Sequence, residues 1–267
     1  MSLDLSTLPR DLRSAAATLG TSEVRYLVDT YYQLQDFRKA SSNQQRSLIK
    51  AEEPHETLAF FSTQFQTLEK QIAGAMDVYS ANDPMGSWSR EHVGIGPIIA
   101  AGLSAHIDIT RAPTVGHIWR FAGLDPTVKW EKGQKRPYNA KLKLLCWKIG
   151  DSFVKLSNHE NCFYGHIYKE RKEYELKRDN SGGNANTAAK TLSERNIKDK
   201  ELKKVYESGH LPAGRLDLRS RRYATKLFLS HWHGEAYRLH YNTEPPLPYP
   251  IAHLGHAHMI EAPNRTT

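Results

Sequence analysis

The side chains best suited by type to do chemistry in this chain are its histidines, and they gather towards one end. His231-Trp232-His233 is followed by His240, and then by His253-Leu254-Gly255-His256-Ala257-His258. Imidazoles two and three residues apart can converge on one zinc or nickel ion, and such an ion can activate a water. His231, His233, His253, His256 and His258 are therefore the candidate metal ligands. The surrounding pattern argues for another use. There is no His-Glu-x-x-His word, no cysteine is close, and Glu235 and Glu261 are the only acids within three residues of one of these histidines. Histidines that pack, bind phosphate or sit in a loose tail fit better, so no metal or cofactor is expected. His159, Cys162 and His166 form a second, weaker trio. Neither a Ser-His-Asp arrangement nor paired carboxylates can be assembled elsewhere. The acids are scattered among bases, a pattern of ion pairs rather than of acid–base catalysis.

Binding chemistry is better represented. Val93-Gly94-Ile95-Gly96-Pro97 runs into the apolar stretch Ile98-Ile99-Ala100-Ala101-Gly102-Leu103. Two glycines around one aliphatic residue, followed by a helix, is the pattern of a helix-hairpin-helix, a module that grips a nucleic-acid backbone without reading bases. Gly94 and Gly96 are expected to take backbone angles closed to other residues and to admit a phosphate close to the chain. Pro97 suits a first helical turn, where free N–H groups make an anion site. Ile95 is expected to plug between the two helices. The plainer alternative is a glycine-rich turn before a buried helix.

The charge favours the first reading. The 267-residue chain carries +8, which suits a polyanionic partner. Lys129, Lys132, Lys135, Arg136, Lys141, Lys143 and Lys148 face one acid, Glu131, with Trp130, Tyr138 and Trp147 interleaved. Cations among aromatics suit phosphate contact combined with stacking; a solvated helix with Trp147 in the core is the alternative. Arg215, Arg219, Arg221, Arg222 and Lys226 form a second cluster, in which Arg215, Arg219 and Arg222 share a helix face by spacing. The mixed-sign runs at 169–173 and 198–201 read as solvated faces.

The elements that must position these groups all read as helices, so the expected fold is all-α. Thr21-Ser22-Glu23 opens a helix, and Val24, Leu27, Val28, Tyr31, Leu34 and Phe37 mark its apolar face. Past Pro54, a second helix from Glu56 carries Leu58, Phe61, Phe65, Leu68, Ile72 and Met76, suiting a helical hairpin or short coiled coil. A seam inside a bundle is preferred to a dimerisation arm. Residues 82–90 read as a turn. Further helices are expected at 114–121, 138–154, 159–178, 188–208 and 213–241, with a basic loop at 128–137. The expected divisions are 1–82, a hairpin or coiled coil; 83–179, a helix-hairpin-helix domain; 180–187, a flexible linker; 188–244, C-terminal helices; and 245–267, an extended tail rich in proline and histidine. Met1 to Arg13 lacks the apolar run of a signal peptide, and no stretch is long enough to span a membrane. Cys146 and Cys162 offer no disulfide framework and suit reduced thiols in a cytoplasmic, nucleoid-associated setting.

Gly94-Ile95-Gly96-Pro97 with Ala100, then Ile109-Thr110-Arg111-Ala112, then Phe121-Ala122-Gly123-Leu124-Asp125-Pro126, together with the basic loop and Arg222-Tyr223-Ala224-Thr225-Lys226-Leu227-Phe228, resembles the carboxy-terminal domain of bridge-RNA-guided insertion-sequence transposases. That family pairs a DEDD nuclease-like domain with a serine nucleophile. The resemblance implies nucleic-acid binding by a helical domain. It does not carry the chemistry. Residues 1–80 offer helices rather than strands bearing four metal-binding acids, and Lys132 stands before Gly133 where the family has its serine. No serine lies between Ser104 and Ser152, and a lysine amine cannot form the phosphoserine intermediate.

The expected function is therefore nucleic-acid binding without recombinase chemistry, with DNA preferred to RNA. Its contacts would be Gly94, Ile95, Gly96, Lys129, Trp130, Lys132, Lys135, Arg136, Lys141, Arg215, Arg219 and Arg222. Two alternatives remain: a metal-dependent nuclease or recombinase using an unrecognised site, and an oligomeric assembly protein of a phage or mobile element, joined through the N-terminal helices.

Overall fold

The computed structural model describes residues 7–53, 55–253, 255 and 259–263, and all regular structure among them is helical. The elements are α1 (Arg10–Ala15), α2 (Thr21–Lys50), α3 (Glu56–Asn82), α4 (Pro84–Arg90), α5 (Pro97–His106), α6 (Val115–Phe121), α7 (Ala140–Lys155), α8 (Phe163–Asn180), α9 (Ala185–Glu194), α10 (Lys200–Glu207), α11 (Ala213–Tyr241) and α12 (Tyr249–His253), with short 3-10 turns at Ala16–Thr18 and Ile109–Arg111. They form two compact units. One comprises Met1–Glu91 and Ile95–Ala112, the other His92–Gly94 and Pro113–Thr267. These limits cut across the expected divisions at 82/83 and 179/180.

In the first unit α2 and α3 form an antiparallel hairpin. Arg38 pairs with Glu69 at 2.5 Å, and the Phe37 and Phe65 rings lie 5.6 Å apart. Helix α2 begins one residue earlier than Thr21 suggests as a cap: Gly20 is the cap, and its N–H donates to Glu23 at 2.7 Å. The core lies at one end of the hairpin, where Val24, Val28, Ala75 and Met76 meet Ile98, Ala101 and Ala105 of α5. Arg25 donates to the Ala105 carbonyl at 2.6 Å, satisfying a group left over at the end of α5. Towards the other end the apolar seam stays open, with Phe37, Phe60 and Phe61 about half exposed. Pro54 lies outside the described residues.

Residues 82–90, expected as a turn, contain α4. Asp83 is its N-cap, accepting from the Gly86 N–H at 2.6 Å, and Pro84 takes the first helical position. An Asp-Pro step serves a turn or a helix start equally well. The Ser104 hydroxyl also donates to Asp83 at 2.6 Å, tying α4 to α5.

In the second unit α11 is the spine, packed by α6, α7 and α8. The predicted face of α7 is buried in full: Leu142, Leu145, Cys146, Ile149 and Phe153. Phe153, Tyr164 and Phe228 make an aromatic centre with His92 and His231. Helix α8 starts at Phe163 rather than His159, because the chain turns over residues 157–162 first. The expected helix at 188–208 is two helices, α9 and α10, broken at Arg195–Asp199. Part of the expected extended tail is the short helix α12.

The expected linker at 180–187 is a turn locked into the core. Asn184 is fully buried. Its amide donates to Asp179 at 2.8 Å and accepts from Arg219 at 2.9 Å. Asp179 also accepts from the Leu211 N–H and binds His210, each at 3.1 Å. Composition alone reads Ser-Gly-Gly-Asn as flexible; these long-range polar contacts hold it.

Candidate nucleic-acid interface

The basic loop is pinned at both ends by the backbone. Helix α6 ends with the Leu124 N–H donating to Trp119 at 2.8 Å and Gly123 at φ +66°. That left-handed residue favours glycine. A Cβ there would lie 2.8 Å from the Tyr138 ring, so the same glycine also makes room for Tyr138. At the far end the Asn139 N–H donates to Phe121 at 2.8 Å. The Asn139 side chain then caps α7, accepting from Lys141 and Leu142 at 2.9 and 3.0 Å. The loop thus leaves and returns to one place, and Tyr138 is held beside α7.

On this frame the expected cations and aromatics come together. Arg136 lies over the Trp130 ring at 5.3 Å and over Tyr138 at 5.8 Å; Lys143 lies over Tyr138 at 4.1 Å. The Trp130 indole N–H donates to the Gln134 carbonyl at 2.8 Å, which sets the ring's orientation. One turn beyond Lys143, Trp147 shares its helix face, with Lys148 over it at 5.7 Å. Trp147 is not in the core: it is 51 % exposed, and Trp130 is 49 % exposed. Lys129, Lys132, Lys135, Arg136, Lys141 and Lys143 are exposed around them, and Glu131 is engaged with Gln134 at 3.1 Å. The surface sets half-exposed indoles among cations, an arrangement suited to stacking and to phosphate neutralisation.

The two glycines differ. Gly94 sits at φ +107°, where a Cβ would lie 3.0 Å from the Phe153 ring, and its carbonyl accepts from the Ser152 hydroxyl at 2.7 Å. Gly96, expected to need an unusual conformation, is extended (φ −87°, ψ 173°) as the N-cap of α5, with open space where a side chain would go. Any residue could adopt that backbone. Ile95 is 4 % exposed.

The second cluster does not form an open row. Arg215 donates to Thr191 at 2.8 Å and to the Tyr206 hydroxyl at 3.3 Å. Arg219 holds Asn184 at 2.9 Å and Glu175 at 3.4 Å. Arg221 pairs with Asp217 at 2.6 Å and Asp151 at 3.3 Å. Arg222 is exposed. Helical spacing placed these residues on a face; it could not show that the face meets α8 and α9.

Among the described residues no group of three histidine, cysteine or acidic side chains is placed to hold a metal. Both ring nitrogens of His231 are engaged, with the Tyr164 hydroxyl at 2.8 Å and the Ile260 carbonyl at 2.7 Å. Burial lowers its pKa from 6.5 to about 4, so the ring is neutral. His233 is buried, with its ring near Tyr237. His253 lies against Tyr249. His256 and His258 lie outside the described residues. In the weaker trio, the His159 ring accepts from the Asn161 N–H, and the Cys162 thiol donates to the Val93 carbonyl at 3.4 Å. Both cysteines are free and buried; burial pushes Cys146 up to about 12 and raises Cys162. No helix of the described residues is long and apolar enough to cross a membrane.

One feature escaped sequence reasoning. A cavity of about 480 Å³ lies between α11 and the segment after it. Its walls come from positions more than a hundred residues apart, so no local pattern could signal it. No known family, curated protein or solved structure matches this chain.

Proposed function

We propose that this protein binds nucleic acid, DNA before RNA, through the loop at 124–139 and the exposed face of α7, without cutting or joining it. The observation that carries this reading is the pair of half-exposed tryptophans, Trp130 and Trp147, set among cations on one ordered surface. Exposed indoles are expensive to leave in water and are used where bases or sugars stack. The cations Lys129, Lys132, Lys135, Arg136 and Lys141 supply phosphate contacts. In the first unit, taken by itself, the backbone N–H groups at the start of α5 have the same preference for phosphate. A relationship to the transposase carboxy-terminal domain fits the same residues and remains part of the proposal, with Lys132 in place of the nucleophile.

The test is a titration against double-stranded DNA, single-stranded DNA and structured RNA at two salt concentrations with Mg²⁺, followed by a gel of the substrates. Salt-sensitive binding with intact substrates is expected. Cleaved substrates would move the chain to the nuclease reading, and an absence of binding would remove the proposal.

A second reading rests on the first unit. Phe37, Phe60 and Phe61 leave apolar rings exposed at the open end of the α2–α3 hairpin, which favours assembly through these helices. A mass measurement across concentrations separates a monomer from an oligomer, and Phe60→Ser with Phe61→Ser should shift an oligomer towards monomer.

A further inference from the structure

We propose that the second unit binds a small amphipathic carboxylate, an apolar body with one negative charge, in the cavity between α11 and the C-terminal segment, with Lys226 as the counter-charge. The cavity, about 480 Å³, has the size of a small-molecule site. Trp119, Leu227, Leu247, Ile251 and Ile260 are among its apolar walls. Three cations reach it, and so do two carboxylates, Glu244 and Glu261. Arg171 is paired with Glu175 at 2.5 Å. Arg238 is paired with Glu235 at 2.8 Å and Glu244 at 3.4 Å. Lys226 is different: among the described residues its ammonium has no carboxylate within 4.0 Å and no hydrogen bond, only the Trp119 ring at 3.9 Å. Asp125 acts on it through space, but that carboxylate is engaged by the Thr127 N–H and hydroxyl at 2.9 and 2.7 Å. Burial lowers the Lys226 pKa, with Arg222 adding to the effect and Asp125 opposing it. An ammonium withdrawn from water beside apolar walls is stabilised by an anion that brings an apolar body with it.

The far wall is the segment itself, fastened where the Ile260 carbonyl meets the His231 ring at 2.7 Å and where Glu244 meets Arg238. A molecule in the cavity therefore touches both α11 and the segment, and would hold the segment in place. This site is separate from the tryptophan surface and stands without it.

Three probes test the proposal on the full chain: 8-anilinonaphthalene-1-sulfonate, which is aromatic with one charge; its uncharged counterpart N-phenyl-1-naphthylamine; and decanoate as competitor. One saturable site for the charged probe, displaced by decanoate, is expected. Lys226→Met should weaken the charged probe about tenfold and leave the uncharged one unchanged, while Lys226→Arg should keep both. Leu227→Trp, which fills the cavity, should abolish both. Equal affinities of the charged probe for the wild type and a folded Lys226→Met, parallel loss of both probes in Lys226→Met, or no saturable site in the wild type would overturn the proposal. Should Lys226→Met fail to fold, Lys226→Gln, which also removes the charge, decides it on the same difference between the two probes.

Discussion

His231 shows how one side chain can be placed correctly and used differently. Histidine density made it a candidate ligand beside the preferred reading of a packed side chain; in the fold the ring joins the Tyr164 hydroxyl to the Ile260 carbonyl. Burial lowers its folded pKa to about 4, below the 6.5 of the unfolded chain. The unfolded state therefore binds the proton more readily. The contribution is complete above pH 6.5 and is lost as pH falls towards 4, amounting to about 3 kcal/mol. Urea unfolding at pH 7.5, 5.5 and 4 should show this loss in the wild type and a smaller one in His231→Gln. A second residue pair separates binding from folding. Gly94→Ala meets Phe153 and a left-handed backbone and should cost about 2 kcal/mol of stability. Gly96→Ala has room and an ordinary conformation and should change stability by less than about 0.5 kcal/mol. Weaker DNA binding by Gly96→Ala at unchanged melting temperature would locate phosphate at the start of α5; unchanged binding would take that helix start out of the interface.

Helix α7 does two jobs with two faces. Its apolar stripe was legible because burial at Leu142, Leu145, Cys146, Ile149 and Phe153 follows helical period. Its outer face was legible only as a list of cations and rings. Whether Trp147 points outward depended on where α8 and α11 take their contacts. Trp130→Ala and Trp147→Ala should each reduce nucleic-acid affinity by about 1–3 kcal/mol with unchanged thermal stability, measured by fluorescence anisotropy. Loss of stability without loss of affinity would return these rings to a packing role. The turn after α8 behaves in the opposite way. Asn184→Ala removes one buried hydrogen bond from Asp179 and one from Arg219, two charged groups it now joins, and should cost about 2–3 kcal/mol. A hinge-like linker would tolerate that change, so a melting temperature equal to wild type would restore the flexible reading.

Net charge is a property of the whole chain, but its availability is not. Of the +8, the arginines at 215, 219 and 221 are held by internal partners, while the cations at 129–141 are exposed around the tryptophans. Four to five phosphate contacts on duplex DNA would give a slope of about −3.6 to −4.5 for log affinity against log salt. A slope near zero would show that stacking alone carries binding.

Helical character, the buried stripe of α7, the α5 and α6 starts and the absence of strands among the described residues could all be read from residue order, because period and capping are local rules acting within a few residues. The locked turn at Asn184, the internal pairing of Arg215 and Arg219 and the cavity beside Lys226 could not. Each depends on partners tens of residues away, as when Arg219 meets Asn184 and Trp119 meets Lys226. Which polar groups are consumed and which are left for a ligand is settled only when the helices pack, because desolvation and pairing are properties of the assembled neighbourhood rather than of the segment.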